Sequence, residues 1–234
     1  MNQYLQNKKG KVQSVFNKVY DKYDLMNDFM SIGIHRLWKK DMINLMAPLP
    51  KKKLIDMACG AGDLAGLYIQ NTNYQGKVLC VDPNSNMLKK GKKKFNNCKN
   101  ISWKKGKAEK IPAPKNFFDY YCISFGLRNT KNINNSLKEA HRVLKPGGRF
   151  FCLEFSKVQN NYFEKLYKKY SKLIPHIGKI VVGDKEPYEY LIKSIENFIN
   201  QDELIDLMKK NNFINCEYRN LSGGIAAIHS GWKI

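Results

Sequence analysis

A glycine-rich turn and the carboxylate that follows it have the spacing of a nucleotide-type cofactor site. The apolar run at 54 to 58 predicts a buried parallel strand, and GAGDLA at 60 to 65 is typical of the turn that opens a helix against such a strand. Asp82 ends the next predicted strand 20 residues beyond Gly62, where a carboxylate accepts hydrogen bonds from a ribose diol. We expect Gly60 to allow the sharp turn and Gly62 to let the backbone approach a ligand closely.

A second carboxylate, Asp56, lies inside the apolar strand, four residues before the first glycine. Burying a charge there is costly unless a partner compensates it, and a cationic amino group on the ligand would be such a partner. The alternative is that Asp56 only caps nearby backbone amides of the turn. A dinucleotide would bring its pyrophosphate to the start of the following helix, where the carboxylate of Asp63 would repel it. The pattern therefore favours a ligand with an amino group over NAD.

Arg128 is the main candidate for a catalytic residue, because an arginine is unusual in a chain whose basic residues are mostly lysines. Only five of the 41 basic residues are arginines, which leaves 36 lysines, so an arginine suggests a need for the planar fork and the permanent charge. It follows the fourth predicted strand, at the edge where parallel sheets bind ligands. Asn129 and Tyr23 are the candidates to complete the hydrogen bonding. The alternative for Arg128 is a structural bridge between carboxylates.

These residues require a sheet that brings strand ends together, and the chain alternates strands with helices. Strands are predicted at 53 to 58, 77 to 82, 101 to 104, 118 to 125, 149 to 155, 216 to 221 and 225 to 232, and helices at 63 to 70, 85 to 95, 133 to 144 and 201 to 211. This order predicts an α/β fold with a doubly wound, seven-stranded, mostly parallel sheet. The last two strands must pair antiparallel, since only SGG at 222 to 224 separates them.

Two segments outside this sheet have amphipathic helical periodicity, from Val12 to Tyr23 and from Phe163 to Ile177. Each flanks the sheet edge from which a cofactor would be reached, so both are candidates to cover the site. Ordinary core packing is the alternative for such stripes. We expect a single domain over 1–234, with an N-terminal helical cap at 1–45 and an inserted helical lid at 157–200.

Composition limits the class of protein. A chain of 234 residues with 43% hydrophobic content suits one folded domain, and no run of about 18 apolar residues could span a bilayer. The six cysteines form no CxxC pair and fall mostly in predicted strands, so we interpret them as reduced core residues of an intracellular protein. The four histidines lack metal-ligand spacing, and no metal is predicted.

The formal net charge of +21 has three interpretations: solvated surface lysines, attraction to anionic lipid, and binding of nucleic acid. Because lysine and asparagine are both favoured by AT-rich coding, we rank solvated surface first and anionic lipid second, and we expect no nucleic acid partner. The basic residues are dispersed, with short runs such as 51 to 53 and 92 to 94, and no continuous basic helix is expected.

Longer blocks carry a resemblance that runs nearly end to end. KYDLMNDFMSIGIHRLWKK at 22 to 40, the glycine-rich turn, ISFGLRNT at 123 to 130, RVLKPGGRFFCLEFSK at 142 to 157 and GGIAAIHSGWKI at 223 to 234 resemble the class I S-adenosylmethionine-dependent methyltransferases, which have a Rossmann-like fold. Within that class the chain looks like the ubiquinone/menaquinone biosynthesis C-methyltransferases. The glycine turn and KPGG identify only the fold, whereas GIHRLWK, SFGLRN and LEFSK are much more specific.

The resemblance implies S-adenosylmethionine as cofactor and a polyprenylated benzoquinol or demethylmenaquinol as methyl acceptor. It implies a catalytic role for Arg128, the arginine of FGLRN, which would stabilise a phenolate and orient a water. It carries over cofactor contacts at Asp56, Gly60, Ala61, Gly62, Asp82, Lys107, Ala108 and Ser124. Two of these depart from the family pattern, since Ala61 stands where threonine is common and Lys107 where asparagine is usual.

The same resemblance implies where the protein works and with whom. A polyprenyl tail resides in the bilayer, so we expect a cytoplasmic enzyme that is peripheral on an inner membrane, or a mature protein of the mitochondrial matrix. The expected partners are the quinol, an anionic membrane surface, and either a complex of quinone-biosynthesis enzymes or a homodimer. The alternatives are a methyltransferase of RNA or a small phenol, a basic RNA-binding module with a vestigial cofactor pocket, and a NAD-dependent reductase.

Overall fold

The computed structural model describes residue 31 and residues 33–159 and 186–234. In these residues seven strands form one sheet, in the order β3-β2-β1-β4-β5-β7-β6. The strands are β1 (Lys53–Met57), β2 (Lys77–Asp82), β3 (Ile101–Lys105), β4 (Phe118–Ser124), β5 (Leu144–Phe155), β6 (Ile214–Leu221) and β7 (Ala226–Trp232). Strand β7 runs antiparallel to both of its neighbours, and all other adjacent pairs are parallel.

Helices cover both faces of this sheet. They are α1 (His35–Met46), α2 (Asp63–Asn71), α3 (Ser85–Lys94), α4 (Ile133–Val143), α5 (Glu186–Glu196) and α6 (Gln201–Lys210). Successive strand residues point to opposite faces. Leu54 of β1 therefore belongs to a buried cluster with residues of α1, α2 and α5, while Ile55 belongs to a second cluster with residues of α4 and α6. The result is a three-layer fold whose ligand edge is the carboxyl end of the parallel strands.

The predicted fold is confirmed, including the antiparallel pairing of the last two strands. Strand β5 is longer than predicted, because the KPGG segment continues the extended chain from Leu144. Helix α5 was not predicted, although it lies within the expected lid region. The two amphipathic stripes at 12 to 23 and 163 to 177 fall outside the described residues, so the division into cap and lid stays a prediction.

Helix α3 contains the short lysine run at 92 to 94 and concentrates basic residues more than the sequence analysis expected. It carries five lysines in ten residues, at 89, 90, 92, 93 and 94. Its buried side is formed by Met87, Leu88 and Gly91, so the lysines cover its solvent side. No helix in the described part of the chain combines the length and the apolar character needed to cross a membrane.

Candidate active site

The turn between β1 and α2 has the sharp geometry that its glycines predict. Gly60 and Gly62 adopt positive φ values of 55° and 84°. A Cβ on Gly62 would lie 2.6 Å from the Cη2 atom of Trp103, which is closer than real Cβ contacts. The packing of Trp103 therefore constrains this position to glycine as well, and the close approach of the Gly62 backbone to a ligand stays a prediction. Ala61 lines the pocket beside the turn.

Asp82 ties the end of β2 to this turn. Its Oδ2 accepts a hydrogen bond from the backbone N–H of Gly60 at 2.9 Å, and its Oδ1 accepts one from Asn84 N–H at 2.7 Å. Burial raises the pKa of Asp82, and these two donors oppose that rise. A carboxylate has further lone pairs on both oxygens, so its geometry allows a ribose contact as well. That contact stays a prediction.

A pocket opens between the glycine turn and the end of β4, with a volume of about 430 Å³ that includes space open to solvent. Two buried oxygens belong to residues that line it, Asp56 Oδ2 and Ser124 Oγ, and neither has a hydrogen-bond partner among the described residues. A buried polar atom left unsatisfied costs about 1–3 kcal/mol. The two oxygens therefore favour a ligand that brings its own polar groups.

Asp56 is a buried acid of the pocket with a raised pKa. Its side chain is 1% exposed, and loss of solvation raises its pKa to about 7. Cys122 Sγ donates a weak hydrogen bond to Oδ1 at 3.5 Å, and the charge of Lys39 also favours the ionised form. The alternative that Asp56 caps the turn finds no support among the described residues, where Cys122 is its hydrogen-bond donor. The contact of Asp56 with a cationic group of a ligand stays a prediction.

Asp63 stands at the first position of α2 between two lysines. Its carboxylate contacts Lys39 Nζ at 2.9 Å and Lys94 Nζ at 2.7 Å. Burial alone would raise the pKa of Asp63, but the two ammonium groups outweigh it and hold the pKa well below its usual range. Because its charge is compensated, Asp63 would not repel a pyrophosphate in the way that the sequence suggested.

Arg128 lies in a 3-10 turn, Leu127–Asn129, directly after β4. Its Nη1 donates to Glu154 Oε1 at 2.5 Å and to Phe125 O at 2.9 Å, and both side chains of the ion pair are 1% exposed. Burial raises the pKa of Glu154, against the opposing effect of Arg128. Glu154 was not predicted as a site residue, although a carboxylate inside an apolar strand is the same signal that marked Asp56.

The ion pair with Glu154 fits the alternative role of Arg128, which is a structural contact with a carboxylate. The guanidinium donates to the carbonyl of Phe125, which lines the pocket with Ser124, whereas Arg128 itself is not among the lining residues. Asn129 follows and contacts α5 through Tyr190. Tyr23 lies outside the described residues. The catalytic assignments of Arg128, Asn129 and Tyr23 stay predictions.

The specific sequence blocks converge beside this pocket. Trp38 of GIHRLWK packs against Phe125 of SFGLRN and Phe155 of LEFSK, with ring centroids 6.3 and 6.1 Å apart. The two phenylalanine rings are 4.9 Å apart. Trp38 Nε1 also donates to Ser222 Oγ at 3.0 Å, in the turn before β7. Three blocks that are distant in sequence therefore pack against one another, and Phe125 brings this cluster to the pocket.

The Lys107-Ala108 pair follows β3 at the same edge of the sheet. Lys107 is exposed, and Ala108 is buried in a cluster with Met57 and Val81. Neither residue lines the pocket, so their contact with a cofactor stays a prediction. No group of three or more His, Cys, Asp or Glu side chains in the described residues is placed to hold a metal ion.

Comparison with known sequences finds relatives over nearly the whole chain. The sequence model of the ubiE/COQ5 methyltransferase family matches residues 3–233. The ubiquinone/menaquinone biosynthesis C-methyltransferase UbiE of Rickettsia akari (strain Hartford) is 50% identical over 97% of this chain and 94% of its own length. The protein of the same description from Ruegeria sp. (strain TM1040) is 45% identical over 97% of this chain and 92% of its own length.

Solved structures with a similar fold are distant in sequence. A SAM-dependent methyltransferase of Thermotoga maritima, described as a possible histamine N-methyltransferase, superposes with a TM-score of 0.66 at 18% identity, over 94% of this chain and 99% of that one. A SAM-dependent methyltransferase of Aquifex aeolicus gives 0.63 at 16% identity, over 84% and 89%. At this identity the likeness shows the fold alone.

Proposed function

The chain belongs to the ubiE/COQ5 methyltransferase family, and we propose that it moves the methyl group of S-adenosylmethionine to a ring carbon of a polyprenylated quinol. The acceptor is a benzoquinol or demethylmenaquinol of ubiquinone or menaquinone biosynthesis. Support comes from relatives about half identical over nearly the full chain, which carry the description of ubiquinone/menaquinone biosynthesis C-methyltransferases.

The observation that carries the proposal is the pair of unsatisfied buried oxygens beside the glycine turn. Asp56 offers a carboxylate to the ammonium group of the methionine part of the cofactor, and Ser124 offers a hydroxyl. Lys39 lines the same pocket, where its ammonium group is paired with Asp63 and has a further N–H to donate to the methionine carboxylate. The residues therefore fit a ligand that carries an ammonium and a carboxylate group on one carbon, whereas a nicotinamide dinucleotide carries neither group.

The cofactor supplies a methyl group that its sulfonium already activates. What remains for the protein is to hold the acceptor carbon in line, to exclude water and to make the ring nucleophilic. A quinol becomes nucleophilic at carbon when an adjacent ring hydroxyl loses its proton, through a base or a relayed water, and the methylated carbon then loses its own hydrogen as a proton, which restores the aromatic ring. We propose that the permanent charge of Arg128 stabilises the phenolate and that Asn129 hydrogen-bonds the same oxygen.

A methyl-transfer assay tests the function directly. The chain is incubated with S-adenosylmethionine and a short-tailed demethyl quinol kept reduced, and the product is identified by mass spectrometry. We expect the ring to gain one methyl group on carbon, while RNA and simple phenols remain unmethylated under the same conditions. Methylation of RNA in place of the quinol would contradict the proposal in favour of the alternative acceptor.

We also propose that the protein binds membranes peripherally, through α1 and α3. Ile34, which precedes α1, and Leu37 of α1 are exposed apolar residues, at 37% and 56%, and the same helix brings Lys39 to the pocket. The lysines of α3 share their helix with Met87, another pocket residue. Apolar side chains beside a cluster of lysines are the elements of an interfacial anchor on anionic lipid.

Cosedimentation with vesicles checks this docking. The double variant Lys92→Gln/Lys93→Gln removes two exposed charges of α3, each worth about 1 kcal/mol near an anionic surface. We expect binding to anionic vesicles at low salt to fall about 30-fold, and binding to neutral vesicles to be weak for both proteins. The matched control is Lys209→Gln/Lys210→Gln on α6, across the sheet, which should bind like the parent. Equal losses in both variants would contradict a role specific to α3.

A further inference from the structure

Helix α5 touches both candidate catalytic residues after β4. The hydroxyl of Tyr190 donates to Asn129 Oδ1 at 2.9 Å, and Arg128 Nε donates to Ser194 Oγ at 3.3 Å. Residues four apart lie on the same face of a helix. One face of α5 therefore presents two side chains to two consecutive residues of the 3-10 turn.

Each of these two hydrogen bonds fixes the orientation of a side chain in the 3-10 turn. With Asn129 Oδ1 accepting from Tyr190, the amide Nδ2 is left as the donor, and in the described residues it makes one long hydrogen bond, to Phe125 O at 3.5 Å. Ser194 Oγ donates its own proton to Leu191 O at 2.7 Å, so a lone pair faces Arg128. The guanidinium is thus held at Nη1 by Glu154 and at Nε by α5.

Apolar residues on α5 anchor the helix independently of these polar contacts. Tyr188 and Leu191 are each 1% exposed and belong to the buried cluster that also contains Phe125 and Phe155. Removing the Tyr190 hydroxyl leaves this packing in place. A role limited to holding the fold would therefore not require a hydroxyl at that position.

We propose that Tyr190 is a positioning residue for methyl transfer, which orients the amide of Asn129 toward the acceptor oxygen, and that Ser194 does the same for Arg128. This inference rests on the proposed function. It makes α5 part of the apparatus that aligns the acceptor and assigns it no contact with the cofactor.

A double-mutant cycle tests it with the methyl-transfer assay. Tyr190→Phe keeps the ring and removes the hydroxyl, so we expect kcat to fall about tenfold while the Kd for S-adenosylmethionine stays within about twofold of the parent. In an Asn129→Ala background the same substitution should have no further effect, because the group through which it acts is gone. The matched control is Tyr68→Phe, a buried tyrosine of α2 whose hydroxyl lacks a partner among the described residues.

Ser194 supplies a second, independent variant. Ser194→Ala should lower kcat, and Ser194→Thr should restore it, because threonine keeps the oxygen that accepts from Arg128. Parent-like turnover in Tyr190→Phe, or losses that add fully in the double variant, would overturn the inference. So would an Asn129→Ala variant with normal turnover. An inactive parent chain would instead overturn the proposed function, so the two failures are distinguishable.

Discussion

Arg128→Ala is expected to lower the free energy of unfolding by about 3–5 kcal/mol, because it leaves Glu154 as an unpaired buried charge. Both side chains of the pair are 1% exposed, and the carboxylate also accepts from the backbone N–H groups of Arg128 and Phe155. These two donors remain in the variant, but neither carries a charge. Urea unfolding at neutral pH measures the loss.

The pH dependence of this loss has a definite sign. Burial raises the pKa of Glu154 and Arg128 opposes that effect, so the pKa rises further when the arginine is removed. A folded-state pKa above the unfolded value means that the folded state gains relative stability as the carboxyl protonates. The deficit of Arg128→Ala should therefore shrink toward acid pH. A constant deficit would mean that lost packing, and not the unpaired charge, destabilises the variant.

Two comparison variants complete this test: one breaks an exposed ion pair in place of the buried one, and the other separates the structural from the catalytic role of Arg128. Lys94→Ala breaks an ion pair whose side chains are 50% and 36% exposed, and it should cost less than about 1 kcal/mol. Arg128→Lys keeps a positive charge beside Glu154, so most of the stability should remain while turnover falls, because a point charge replaces the fork. Normal turnover in a stable Arg128→Lys variant would leave Arg128 with its structural role alone.

The sequence predicted those parts of the site that follow from local pattern. Apolar runs predicted the strands, the glycine spacing predicted the turn, and an acidic residue inside an apolar strand identified Asp56. The same reasoning applied to FFCLEF would have identified Glu154. The sheet edge that holds the pocket was also predicted, because parallel strands present their carboxyl ends at one edge.

Contacts between distant segments were not predictable in this way. Gly62 was assigned to a ligand, and the sequence did not indicate the second constraint on this glycine, which is the packing of Trp103, 41 residues later. The sequence predicted that Asp63 would repel a phosphate group. It does not indicate that Lys39 and Lys94 reach Asp63 and compensate its charge. The partners of Asn129 and Arg128 on α5 are 61 and 66 residues away. Such side-chain pairs depend on how helices dock, which periodicity alone does not specify.

Asp56→Asn should weaken binding of S-adenosylmethionine by about 2–5 kcal/mol and at the same time stabilise the ligand-free protein. The affinity falls because the ammonium group of the cofactor loses its charged partner in a buried site. The stability rises because an amide is neutral, whereas the parent carboxylate is ionised above its pKa of about 7 without a strong donor. Relative to the ordinary value of 3.8, that shift costs on the order of 4 kcal/mol at alkaline pH.

The sign of the pH dependence follows from the raised pKa. The free-energy cost of ionising Asp56 in the folded parent protein grows as pH rises from about 4 to about 7 and is constant above that. The stability advantage of Asp56→Asn should therefore follow the same course. Cofactor affinity of the parent should fall about tenfold between pH 8 and pH 6, as Asp56 protonates, and that of the variant should not. Calorimetry measures the affinities and urea unfolding the stabilities.

Asp63→Asn is the matched control for this prediction. Asp63 lines the same pocket, but its pKa is lowered, whereas the pKa of Asp56 is raised. Two lysines hold the pKa of Asp63 well below the usual range, so its ionised form stabilises the fold and the amide should destabilise it. A gain in stability for Asp56→Asn and a loss for Asp63→Asn would distinguish a carboxylate reserved for the ligand from one that holds the structure together. If Asp56→Asn bound the cofactor as tightly as the parent does, the carboxylate would have no ammonium partner and the cofactor would bind in another way.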